Sequence, residues 1–78
     1  MDWLPLESRA LASVAYAESE RTLYLRFKSG EIYRYFRFPP EQYQEFLAAD
    51  SKGQYFAAHV RDQFQCERLP RARGTAGF

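Results

Sequence analysis

One cysteine, one histidine and one tryptophan are all that 78 residues contain of those three types. A lone Cys66 excludes an intrachain disulfide and any site built on several thiolates, and it fits a reducing compartment, so a cytoplasmic location is expected. His59 has no cysteine or carboxylate neighbour at metal-ligand spacing. Ser8, Ser13, Ser19 and Ser51 have no second histidine to serve as base, and no acid pair is spaced for shielded proton transfer. Catalytic residues, metal ligands and cofactors are therefore not expected. Charge of one sign is also scarce: the formal net charge is +1, so no field over the whole molecule attracts polyanions and any basic footprint must be local. No run approaches the roughly 18 consecutive apolar residues of a membrane helix. The opening Met1-Asp2-Trp3-Leu4-Pro5-Leu6-Glu7 has an acid where a secretory leader needs positive charge, so no leader is expected.

What the chain does have is rings. Hydrophobic residues make up 46% and aromatic residues 18% of it. A single domain of this size buries only about 60% of the surface of its unfolded chain. Each buried Phe or Tyr adds on the order of 150–250 Å², so the core is expected to be small and ring-rich.

Residues 1–7 read as a lead-in: Pro5 blocks a helix, while Trp3, Leu4 and Leu6 offer apolar anchors along an edge. Residues 8–66 form the domain. Leu11 to Tyr16 is a first strand with Ala12, Val14 and Tyr16 sharing a face. After a polar Glu18-Ser19-Glu20 turn, Arg21 to Lys28 alternates, with Leu23, Leu25 and Phe27 on one side and Tyr24, Arg26 and Lys28 on the other. Lys28-Ser29-Gly30 reverses the chain, and two registers are open. A two-residue turn sets Phe27 opposite Ile32 and sends Tyr33 and Tyr35 to the outer face. A three-residue turn sets Phe27 opposite Glu31 and brings both tyrosines to the face of Leu23 and Leu25. The second is favoured, because Ser suits the first position of the tighter turn less well than Asn or Asp.

Pro39-Pro40 ends the sheet and starts a helix, since a proline at the first helical position removes an N–H that has no partner there anyway. Tyr43, Phe46 and Leu47 form its apolar stripe. Asp50-Ser51-Lys52-Gly53 breaks this helix and caps the next, in which Phe56, Val60 and Phe64 recur every fourth residue and Cys66 lies near the end. Residues 67–78 are basic, hold Pro and Gly and lack periodicity, as a flexible tail does. The expected architecture is α+β: a three-stranded antiparallel meander followed by two short helices packed on one face.

The order of these features, with Tyr33-Arg34-Tyr35 at the centre and Ser51-Lys52-Gly53 before the second helix, resembles the KTSC family over about residues 8–66. These are small domains that occur alone in bacteria and at the C-terminus of some lysyl-tRNA synthetases. The resemblance implies no established catalytic activity, and the synthetase association suggests RNA binding.

Two surfaces could carry that chemistry. Arg26 and Arg34, with Arg21, Lys28 and Arg37, lie among aromatic residues on the second and third strands, and cations that track phosphate beside rings that stack on bases hold single-stranded RNA. Tyr33 or Tyr35 would stack if exposed. At the second helix start, Lys52 and Gly53 could receive a phosphate on free backbone N–H groups. The alternative is a protein-interaction or self-association module, because a three-stranded sheet leaves two edges and one face uncovered. The chain is expected to be a monomer or weak dimer with RNA or another protein as partner, and no membrane contact.

Overall fold

The turn after the second long strand decides the rest of the molecule. In the computed structural model, which describes residues 2–70, the amide of Gly30 donates to Phe27 O at 2.8 Å and that of Phe27 to Glu31 O at 2.8 Å. Gly30 adopts φ 100°, a value that a residue without Cβ reaches at little cost. This is the three-residue reversal. It pairs β3 (Thr22–Phe27) with β4 (Ile32–Tyr35) so that Leu25 faces Tyr33 and Leu23 faces Tyr35. Both tyrosines thus share the face of the core leucines, and Tyr35 is 4% exposed.

The sheet has five strands, in the order β1-β2-β3-β4-β5 and antiparallel at each pairing, rather than the three expected. Two short strands escape the sequence pattern. The lead-in supplies β1 (Leu4–Pro5), paired with β2 (Leu11–Ala17); its proline is tolerated because the strand is an edge. After the helices the chain returns as β5 (Cys66–Leu69) beside β4. Glu67 to Leu69, expected at the start of a loose tail, are therefore hydrogen-bonded sheet residues; the rest of that expectation falls largely on residues 71–78, outside the described region.

A bulge between Leu11 and Ser13 shifts the register of β2, so Leu11 opposes Phe27 while Val14 opposes Leu25 and Tyr16 opposes Leu23. One extra residue flips the facing of all that precede it. The larger Leu11, not the expected Ala12, thereby enters the core.

Helix α1 (Pro40–Ala48) starts at Pro39-Pro40 as its sequence dictates, and buries Phe46. Helix α2 (Lys52–His59) is capped by Ser51, whose Oγ accepts from the Gln54 amide at 3.2 Å, and buries Phe56. It ends at His59 rather than running on to Phe64 and Cys66: the amides of Val60 and Arg61 both donate to Phe56 O, and Asp62 takes φ 64°. Phe46, Phe56 and Val60 join Leu11, Val14, Leu23, Leu25, Tyr35 and Phe38 in one core. Both helices thus cover the same face of the sheet, as expected. Tyr16 anchors the layers: its hydroxyl donates to Phe38 O, and its ring stacks on Tyr43 of α1 with centroids 4.5 Å apart. Among the described residues no helix is long and apolar enough to cross a membrane.

Candidate nucleic-acid interface

Alternation along β3 and β4 sends Tyr24, Arg26, Ile32 and Arg34 to the face without helices, opposite Leu23, Leu25, Tyr33 and Tyr35. Register across the sheet lines up Ala15, Tyr24, Arg34 and Glu67 in one row and Ser13, Arg26, Ile32 and Leu69 in the next. Trp3, carried in by the residue before β1, sits over this face, with its ring edge-on to Tyr24 at 6.5 Å and beneath the Arg26 guanidinium at 4.9 Å. Phe36 closes the other end, its centroid 5.4 Å from the Arg34 guanidinium. The result is a half-buried patch of three rings interleaved with two arginines.

The two arginines differ. Arg34 Nε donates to Glu67 Oε1 at 2.6 Å, and this bond, with a weaker one to Tyr24, raises its pKa above the usual guanidinium range. Glu67 belongs to β5, the strand the sequence pattern does not reveal, and its charge offsets that of Arg34 on this face. Arg26 has no carboxylate partner among the described residues and rests on Trp3 alone. The flank is therefore less basic than its sequence suggests. Arg68 is likewise matched, donating to Glu31 Oε2 at 3.1 Å. Arg21 and Arg37 occupy left-handed turns at φ 51° and 58°, outside the strands.

The remaining site candidates lie elsewhere. Tyr33 and Tyr35 face the helices, so neither presents its ring on the patch with Arg26 and Arg34. Burial, the largest cause, drives the Tyr35 phenol well above its ordinary pKa of 10.0. Lys52 turns its ammonium back onto Ala49 O at 2.6 Å, and Gly53 packs near Ser8, whose Oγ a Cβ there would meet at 3.4 Å. Lys52 and Gly53 thus sit at the start of α2, apart from the rings of the helix-free face. His59 leans on the Tyr55 ring at 4.7 Å, and Cys66 is exposed where β5 begins. Trp3 is the contributor that reading the strands alone misses. Its signal is an apolar residue in a lead-in that offers anchors along an edge.

Comparison with known proteins matches this scaffold closely. The KTSC domain family matches residues 7–64. A protein of Tsukamurella paurometabola is 37% identical over 65 residues, covering 83% of this chain and 97% of its own. A lysine–tRNA ligase of Nostoc sp. is 40% identical over 63 residues, 81% of this chain, but the chain spans only 11% of that enzyme's length. The crystal structure of a KTSC domain protein from Yersinia pestis superimposes with a TM-score of 0.86 at 28% identity, covering 88% of this chain and 97% of that one. A five-stranded antiparallel sheet backed by two helices, and a family match over most of its length, make this chain a member of the KTSC domain family.

Proposed function

We propose that this chain is a non-catalytic module that holds a short stretch of single-stranded RNA, weakly, on the helix-free face of its sheet. The observation that carries the reading is the interleaving of Trp3, Tyr24 and Phe36 with Arg26 and Arg34 on that face. Sheets with helices behind and rings in front bind unpaired bases by stacking, each stack contributing about 1–3 kcal/mol, while arginines follow the backbone. Trp3, Tyr24 and Phe36 replace Tyr33 and Tyr35 as the stacking rings. Arg26 supplies one phosphate contact. Arg34 is held by Glu67 and supplies a second only where that pair is released. The partial match to lysine–tRNA ligases supports an RNA setting for relatives of this domain. Binding is weak and only mildly salt-dependent, as few cations take part.

The test is fluorescence anisotropy of a labelled single-stranded RNA and of a duplex of the same sequence, at low and physiological salt. Micromolar-to-millimolar binding of the single strand, weakened in Trp3→Ala, supports the reading; equal binding of the duplex contradicts it.

A second reading, docking of another protein on the same face, is favoured by one feature. Trp, Tyr and Arg are the residue types that dominate binding energy at protein interfaces, and the same unit makes up nearly all of one relative and 11% of a ligase. Sedimentation of the isolated chain, and of its mixture with a ligase lacking the unit, tests this; no association in either case removes it.

A further inference from the structure

On the helix-covered side, where α2 stops at His59, the β4–β5 end of the sheet is left with a cleft of about 330 Å³. Its walls are aromatic. The Phe27 ring stands edge-to-face to Tyr33 at 5.6 Å and to Phe56 at 5.5 Å, and Tyr35 stands edge-to-face to Phe56 at 5.9 Å. That volume is at the lower end of clefts that hold small ligands in an apolar setting with a few placed polar groups.

The Tyr35 phenol is the unusual group. The residue is 4% exposed and lines the cleft, yet its hydroxyl has no hydrogen-bond partner among the described residues. A buried hydroxyl is ordinarily paired, and leaving one unpaired is costly. Tyr33, Arg61, Asp62 and Cys66 line the same cleft beside it.

The rim sets the ligand's charge. Glu31 and Asp62 bring two carboxylates, but Arg68 pairs with Glu31, and Arg61 neighbours Asp62 with its guanidinium 6.0 Å from the Phe56 centroid. With Arg68 neutralising Glu31 from outside the cleft and Arg61 offsetting Asp62, the formal charges at the rim cancel, which favours neither a cation nor an anion. An aliphatic chain or a bare phenyl ring would fill the walls and leave the phenol unpaired. A flat neutral ring with donors and acceptors along its edge satisfies both. We propose that this cleft binds a single nucleobase, its faces against Phe27, Tyr33 and Phe56 and its polar edge on the Tyr35 hydroxyl. The site is independent of the helix-free face and stands whether or not that face binds RNA.

Two sources share this chemistry, free nucleosides or nucleotides and an unpaired base of an RNA strand. The test follows aromatic side-chain resonances of Phe27, Tyr33 and Phe56 during titration with the four nucleosides, a short single-stranded RNA and toluene. At least one nucleoside at millimolar concentration shifts these signals more strongly than toluene. Tyr35→Phe, which keeps the ring and removes the hydroxyl, weakens that binding about two- to tenfold. Matching shifts with the RNA assign the base to a strand; shifts with nucleosides alone assign it to the free ligand. The proposal is overturned if no nucleoside moves these signals, if toluene matches the best nucleoside, or if a folded Tyr35→Phe binds as the parent does. Because RNA on the helix-free face is read instead at Trp3 and Tyr24, the two claims fail separately.

Discussion

Replacing Glu67 with Gln removes the carboxylate that holds Arg34 and leaves the β4–β5 backbone pairing in place. Both side chains of the pair are substantially exposed, 36% for Arg34 and 51% for Glu67, so thermal stability changes little. RNA binding should change much more. In the parent chain Arg26 is the strand arginine of this face without a carboxylate partner among the described residues, which corresponds to about one phosphate and a log–log salt slope of about −0.7 for a single strand. Freeing Arg34 makes about two phosphates and a slope of about −1.4. Between about 50 and about 200 mM salt the parent then loses affinity about 2.6-fold and the variant about sevenfold. Anisotropy titrations of both proteins at the two salt concentrations read this directly, and the variant binds more tightly at the lower one. Equal slopes, or weaker binding by Glu67→Gln, would refute the assignment of Arg34 to phosphate and of Glu67 as its competitor.

Trp3→Ala removes one stacking platform and should weaken single-stranded RNA binding by about 1–3 kcal/mol, measured in the same titration, while the chain stays folded by circular dichroism. Leu25→Ala empties a fully buried position facing Tyr33, and urea unfolding should register a loss of about 2–5 kcal/mol. Alkaline pH should destabilise the fold. Burial raises the pKa of Tyr35 above the ordinary 10.0 and also raises Tyr16, Tyr43 and Tyr55, so above about pH 10 the unfolded state binds fewer protons than the native one and stability falls as pH rises. Melting temperatures from pH 8 to about 11 check this; the decline is shallower in Tyr35→Phe, and a flat profile for the parent contradicts the burial of that phenol.

Local patterns reached a good part of this structure. The alternation of Leu23 and Leu25 with Tyr24 and Arg26 set both faces of β3. Turn chemistry at Lys28-Ser29-Gly30 set the register that carries Tyr33 and Tyr35 inward. Pro39-Pro40 and Ser51 marked both helix starts. What escaped the sequence has a common cause: it depends on partners distant along the chain. Cys66-Glu67-Arg68-Leu69 has one aliphatic residue and no apolar alternation, and it becomes a strand only because β4 offers an edge. Leu4-Pro5 is too short to signal a strand, and the bulge in β2 has no local mark beyond the size of Leu11. The early end of α2 is equally silent, because Phe56, Val60 and Phe64 keep a helical spacing past the point where Asp62 turns the chain. The site suffers most from these gaps. Its tyrosines were placed correctly by the favoured register, and that same register removed them from the surface where RNA would stack. Trp3 and Glu67, which respectively supply a ring and cancel a charge, both arrive on strands or segments that no local pattern announces.

The most direct test of the helix-free face is a backbone and indole amide shift map of the labelled protein titrated with single-stranded RNA. Perturbations are expected to gather on Trp3, Tyr24, Arg26, Arg34 and Phe36 and to grow weaker with salt. Shifts confined to Lys52, Gly53 and their neighbours, or no shifts at millimolar RNA, would contradict it.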